Sequence, residues 1–247
     1  MSDPPSFPEG FPVPERGLEE VAAAEPQDLA AALAFALLRV SPEPDKGVPR
    51  PGLFVAAKAW LRERGRPFAQ GWQMQAPSGG GLIVVAVADE RQAIWALEEA
   101  LKSGAVGGAV AALSAPDFVA TRRLAFAAKA GGAAAAILRT TGADGLSAAW
   151  RRWRIGSMAS APQAFDVRAP GPARLRAELT RRRDGLPGAW ELEWDDDRRI
   201  WRDAKSGPAA AQQARGLRLA AGLARDGLDP FGPGSEGLSS EGPRQVG

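Results

Sequence analysis

Hydrophobic positions follow two alternating patterns along the first 140 residues or so. Short apolar runs typical of buried strands lie at 53–57, 82–88, 106–113 and 133–139. Apolar residues at helical spacing fill 29–40, the stretch from Asp89 to Gly104, and the stretch from Ser114 to Gly131. Because strands and helices alternate, the pattern predicts an α/β domain with a mainly parallel sheet and helices on both faces.

The pattern changes after residue 147. Extended stretches at 150–158, 174–183 and 189–195 predict antiparallel strands, and the turn at 184–188 makes a hairpin of 174–195. Leu175, Ala177 and Leu179 alternate on one strand of this hairpin, as Trp190, Leu192 and Trp194 do on the other. We expect these apolar faces to pack on the main sheet.

The remaining segments are rich in proline, glycine or polar residues. Residues 1–16 repeat proline without periodicity and predict an extended segment, and the connection at 58–81 has no regular pattern. The predicted organisation is one α/β domain at 17–203, an appended helix at 204–225 and a disordered tail at 226–247.

Composition excludes several classes of chemistry. The 247 residues are 45% hydrophobic, enough for one sizeable core, but include no His, Cys or Tyr. Without His or Cys there is no Ser-His or Cys-His pair and no ordinary zinc site. No apolar run reaches the roughly 18 residues of a membrane span, and the N-terminus lacks a secretory signal pattern, so we expect a cytoplasmic protein without membrane partners.

Positive charge is concentrated in one part of the chain. Residues 148–183 hold nine Arg against two acids, within an overall formal charge of +2. Candidate contacts to nucleic acid or a partner are Arg151, Arg152, Arg154, Arg181, Arg182 and Arg183. The favoured alternative is structural: the tryptophans are core, and Arg174 and Arg176 pair with Glu191 and Glu193 across the hairpin.

Five segments carry a family resemblance. They are residues 92–113 (QAIWALEEALKSGAVGGAVAAL), 120–139 (ATRRLAFAAKAGGAAAAILR), 60–71 (WLRERGRPFAQG), 150–155 (WRRWRI) and the hairpin at 174–194. In order and spacing the chain resembles the ImuA family of DNA-damage-response proteins over about residues 10–202. The resemblance implies a RecA-like fold of the P-loop NTPase type, also described as SulA-like, acting in SOS-induced error-prone repair. The implied partners are an ImuB-like protein, an error-prone C-family polymerase and RecA.

A working ATPase of that fold needs a Gly-x4-Gly-Lys-Ser/Thr loop after its first strand, and the sequence has no Gly-Lys pair. The corresponding place holds Ala24, Glu25, Pro26, Gln27 and Asp28. Glu25 and Asp28 would repel phosphates, and Pro26 removes an amide donor. The strand at 106–113 also ends without a magnesium-binding acid. We therefore expect a degenerate nucleotide site, with no cofactor, metal or catalytic residue.

These features favour a non-catalytic accessory subunit of a translesion polymerase complex. The alternatives are a regulator that binds single-stranded DNA or the RecA filament, an ATPase with an unconventional site, and a SulA-like inhibitor of cell division. In the tail, Leu228 and Phe231 resemble part of a peptide that binds a bacterial sliding clamp, although an incidental tail fits the same residues. The glycine pattern at 232–237 lacks the strand and helix of a dinucleotide site.

Overall fold

The protein is built around one mixed β-sheet. The computed structural model describes residues 8–41, 50–75, 80–139, 145–163, 166, 168–183, 185–195 and 200–204. All of them belong to one compact unit, residues 1–207. The predicted helix at 204–225, apart from Ala204, and the predicted tail with Leu228 and Phe231 lie outside the described residues. No helix in the described ranges is long and apolar enough to span a bilayer.

The sheet contains nine described strands. They are β1 (Gly17–Ala23), β2 (Gly52–Ala57), β3 (Leu82–Val87), β4 (Gly108–Leu113), β5 (Ala134–Arg139), β6 (Arg151–Met158), β7 (Arg174–Arg182), β8 (Gly188–Asp195) and β9 (Ile200–Asp203). Their order is β3-β2-β4-β5-β1-β6-β7-β8-β9. The strands from β3 to β6 are parallel, and β7, β8 and β9 continue antiparallel. The predicted α/β class, with a mostly parallel sheet and a C-terminal antiparallel region, is confirmed.

In the described residues these strands are connected by five α-helices: α1 (Leu29–Val40), α2 (Lys58–Arg64), α3 (Ala69–Gln75), α4 (Glu90–Ser103) and α5 (Phe118–Gly131). Helix α4 begins where the Asp89 carboxylate accepts a hydrogen bond from the Gln92 amide at 2.8 Å, and it ends at Gly104 in the left-handed conformation. The three helices predicted from periodicity, α1, α4 and α5, are therefore present.

Two expectations about single elements need correction. The connection at 58–81 is not irregular, because it contains α2 and α3. Strand β6 is antiparallel only to β7, since it pairs in parallel with β1 on its other side. The pattern analysis also did not assign β1 or β9. Strand β1 lacks an apolar run because Glu19 and Glu20 stand at its centre.

The helices cover both faces of the sheet and give two cores. Helix α1 packs on one face with Phe35, Phe54 and Trp72 buried, and this core continues under the hairpin through Leu175 and its register partner Leu192. Helices α4 and α5 pack on the other face over a separate core. This arrangement confirms helices on both faces. The expected packing of the hairpin onto the main sheet is wrong, because β7 and β8 extend the same sheet edge to edge beyond β6 and their apolar residues join the first core.

Residues 8–16 contain no helix or strand but close the first core. The Phe11 ring lies 5.5 Å from the Trp153 ring and 5.3 Å from the Trp190 ring, between centroids. It also meets Phe35 edge to face at 6.4 Å. The N-terminal segment is therefore an integral part of the packing rather than a separate lead-in.

Candidate functional site

The predicted phosphate-loop position lies between β1 and α1. Ala24 and Glu25 follow the strand, and Pro26–Asp28 form a single 3-10 turn before the helix. Asp28 is buried, and its carboxylate accepts hydrogen bonds from the backbone amide of Ser157 at 2.9 Å and of Glu25 at 3.1 Å. These bonds connect the β1–α1 connection to β6.

Electrostatics favour the ionised form of Asp28. The hydrogen bond from the Ser157 amide is the largest cause that lowers its pKa, and the Glu25 amide adds to it against the opposing effect of burial. A fixed anion of the chain itself thus accepts backbone amides in this connection. A phosphate loop instead directs such amides at the phosphate of a nucleotide.

Arg151, a predicted surface contact, is buried in the structure with 1% of its side chain exposed. Its guanidinium donates to the Glu15 carboxylate at 2.6 Å, to Glu19 at 3.2 Å and to the Val13 carbonyl at 3.1 Å. These contacts hold the N-terminal segment against β1 and β6. Arg151 is therefore part of the folded core.

Glu19 is the centre of this buried arginine network, which we define as Glu19, Arg39 and Arg151. Arg39 donates to both Glu19 oxygens, at 2.8 and 2.6 Å, and the Trp153 indole donates at 2.8 Å. Arg39 also donates to the carbonyl of Pro12 at 2.5 Å. Burial raises the pKa of Glu19, but the neighbouring Arg39 and Arg151 outweigh burial and hold that pKa below its ordinary value.

The next two arginines of β6 point away from this network. Arg152 is half-buried on the opposite face, with its Nε 3.0 Å from a Glu20 oxygen, and it donates to the Gly145 carbonyl at 2.6 Å. Glu20 also lies 3.6 Å from Arg139. Arg154 is exposed. Of the three neighbouring arginines, Arg154 alone is exposed.

The second predicted cluster lies at the end of β7. Arg181 and Arg183 are exposed, whereas Arg182 is half-buried opposite Arg151 in the β6–β7 register. The alternative pairing across the hairpin is confirmed for Arg174, which binds Glu193 at 2.5 Å. The six predicted arginines therefore do not form one surface.

A pocket of about 610 Å³ lies between α5 and the starts of β1 and β6. We call it the α5 groove and define it by the aromatic residues Phe118, Phe126 and Trp150 and the basic residues Arg16, Arg122, Lys129 and Arg183. The three aromatic side chains are unusually exposed, at 43%, 62% and 42%. Of the predicted contact residues, Arg183 lies on its rim and Arg151 beneath it.

The sequence analysis missed most of this groove, although α5 carried a signal. Thr121, Leu124 and Ala128 form its buried stripe. A second stripe with Phe118, Arg122 and Phe126 faces outward at spacings of four residues. Large aromatic side chains on the outer face of a helix need a reason beyond core packing.

Two curated proteins are similar to the chain over part of its length. Two proteins named Protein ImuA, from two strains of Caulobacter vibrioides, are each 37% identical to it over 147 residues. The chain is similar to ImuA over this stretch. The match covers 56% of this chain and 60% of each ImuA protein, so the chain spans less than two thirds of these relatives. The resemblance to the ImuA family is confirmed.

Two further comparisons accompany the ImuA match. The crystal structure of SulA from Pseudomonas aeruginosa is 23% identical, covers 51% of this chain and 98% of its own, and has a TM-score of 0.36. No protein-family model matches the chain. The relation to ImuA is therefore the finding on which a functional proposal rests.

Proposed function

We propose that this chain is a non-catalytic binding subunit in SOS-induced mutagenesis, acting in the cytoplasm beside an error-prone polymerase. The observation that carries the proposal is the Asp28 carboxylate, which accepts the Ser157 and Glu25 amides within the β1–α1 connection. The relation to ImuA supports the cellular context.

The proposal treats the sheet as a RecA-like core whose nucleotide site has been lost. Strand β1 is central in the sheet and leads directly into α1, the arrangement in which P-loop proteins hold phosphates at a helix N-terminus. Here the turn before α1 contains Pro26, which has no amide hydrogen, and a buried carboxylate. Strand β4 ends in Ala111, Ala112 and Leu113, all buried and none able to hold magnesium. A triphosphate would meet a fixed negative charge where a phosphate loop carries its lysine.

A fold without its nucleotide site remains useful as a docking surface. We propose the ImuB-like protein, the C-family polymerase and RecA as partners, because the family resemblance implies them. The mixed sheet with helices on both faces supplies a rigid platform for such contacts.

Calorimetry with magnesium and about 1 mM ATP tests the loss of the site. We expect no binding heat and no hydrolysis by the full chain. Saturable binding that is altered in Asp28→Ala would overturn the non-catalytic assignment. Affinity purification of the tagged chain from DNA-damaged cells tests the second half of the proposal, and recovery of the polymerase and ImuB-like protein is the expected result.

A further inference from the structure

We propose that the α5 groove binds single-stranded nucleic acid, with bases stacked on its aromatic side chains and phosphates held by its basic ones. This inference does not depend on the proposed function, because it uses only the geometry of the groove. The groove differs from the arginine clusters predicted from sequence and shares only Arg183 with their exposed members.

The aromatic side chains form two walls. Phe118 and Phe126 stand eight residues apart on α5, about 12 Å along the helix axis, and Trp150 lies across the groove just before β6. All three remain between two fifths and two thirds exposed in the folded chain. Flat rings presented on both sides of a groove suit stacking with bases, which all have a π face.

The basic residues alternate with these rings. The Arg122 guanidinium lies 5.6 Å from the centre of the Phe126 ring, so a cation and a stacking surface are presented together. Lys129 follows on the same face of α5, and Arg183 stands on the opposite rim. Within the described part of the chain, Arg122, Lys129 and Arg183 form no ion pair with an acidic side chain.

The acids near the groove are neutralised from inside the protein. Glu19 is buried and bound by Arg39, and the half-exposed Glu15 is bound by Arg151 at 2.6 Å. The local field is therefore set by the basic residues on the rim, which gives a positive groove in a chain of nearly balanced charge.

The same helix shows how different the groove is from an ordinary charged surface. Arg123, the neighbour of Arg122, faces α4 and binds Glu98, which Lys102 also binds at 2.9 Å. On that side Arg123 and Lys102 have a carboxylate partner, whereas on the groove side Arg122 lies over the Phe126 ring. An acidic peptide would complement the positive charges of the groove but would not stack on its aromatic rings. Single-stranded nucleic acid complements both, and is therefore the better fit.

Fluorescence anisotropy with a labelled oligothymidylate of roughly 16 nucleotides tests the proposal on the full chain. The matched pair of variants is Arg122→Ala and Arg123→Ala, which remove the same charge from adjacent positions of α5. We expect Arg122→Ala to weaken binding and to lower the slope of log K against log salt by about 0.7, the value for one phosphate contact on a single strand. Arg123→Ala should leave both unchanged.

The stacking contribution is separated by aromatic variants. Phe126→Ala should weaken binding about tenfold while keeping the salt slope of the native chain. Trp150→Ala should weaken it similarly, and Trp150→Phe should restore most of the affinity because it retains a ring. Thermal melting by circular dichroism identifies any variant that fails to fold, and the Trp150→Phe and Arg123→Ala comparisons keep the test decisive in that case.

Three outcomes would overturn the proposal. The first is that the native chain does not bind the oligonucleotide at about 50 mM salt. The second is equal losses for Arg122→Ala and Arg123→Ala, which would mean diffuse electrostatic attraction. The third is binding of a polyglutamate peptide in the groove without binding of the oligonucleotide, which would identify an acidic protein partner instead.

Discussion

The buried arginine network and the α5 groove lie against each other and use the same residue type in opposite ways. In the network, Arg39 and Arg151 are almost fully buried and bind Glu19, Glu15 and backbone carbonyls of the N-terminal segment. In the groove, Arg122 lies over the exposed Phe126 ring, and Lys129 and Arg183 line the same pocket. Arg151 and Glu19 line the bottom of the groove whose rim carries Arg122 and Arg183.

The two regions differ in how deeply their arginines are buried. A buried guanidinium without a partner is costly, so its position is tolerated only where carboxylates and carbonyls surround it. A cation at the rim keeps its hydration and is free to exchange water for a ligand. An arginine-rich stretch is therefore not one functional unit, and the partners of each residue determine its role.

Breaking the network should have the largest effect. Glu19→Gln removes the charge that faces Arg39 and Arg151 while keeping the shape of the side chain. We expect a loss of roughly 3–5 kcal/mol in the free energy of unfolding, the usual result of leaving a buried charge without its partner. Urea denaturation measures it. Glu15→Gln is the control, because half of the Glu15 side chain is exposed and its loss should cost clearly less.

A smaller loss of stability is expected when the carboxylate of Asp28, which lies in the turn before α1 and binds two backbone amides, is removed. Asp28→Ala removes the acceptor of the Ser157 and Glu25 amides and should cost roughly 1–3 kcal/mol. Because the folded state lowers the pKa of Asp28, its contribution is fully present above its ordinary value of 3.8 and is lost as pH falls through the lower folded value. The stability difference between the native chain and the variant should be constant near neutral pH and shrink below about pH 4. A difference independent of pH down to acid unfolding would contradict this assignment.

The smallest effect on stability is expected in the groove. Arg122→Ala removes an exposed side chain that lies over the Phe126 ring. The free energy of unfolding should change by no more than about 0.5 kcal/mol, as for most surface substitutions. A loss comparable with that of Glu19→Gln would show that the rim cations support the fold, and the contrast between the two regions would fail.

The local pattern of apolar and polar residues was sufficient to predict most helices and strands, but it did not predict β1, the strand at the centre of the sheet. The periodicity of apolar residues and the capping residues predict helices α1, α4 and α5 and the apolar strands. Strand β1 is not predicted in this way, because Glu19 and Glu20 interrupt its apolar pattern. The partners of Glu19 are distant in the chain, since Arg39 lies 20 residues away and Arg151 lies 132 residues away. A window of local sequence contains no information about such a pairing.

The candidate site also contains features that the sequence predicts and features that it does not. The missing phosphate-loop lysine and the acids Glu25 and Asp28 are readable directly, because a loop motif is contiguous in the chain. The burial of Arg151 and the exposure of Arg154 cannot be predicted from the sequence in this way. The alternation of residues along a strand correctly places the two side chains on opposite faces, but it does not say which face is covered. Which face is covered depends on Phe11 and the N-terminal segment, which pack over Trp153.

By itself, the sequence determined the α/β class, the three periodic helices, the antiparallel hairpin and the resemblance to the ImuA family, because each is written in residues that are close together in the chain. Only the tertiary structure decided that Arg151 is core and that Phe118, Arg122, Trp150 and Arg183 share one groove. The physical reason is that desolvation and charge pairing depend on distances in space. Those distances are set when α5 packs on the sheet and β6 aligns beside β1.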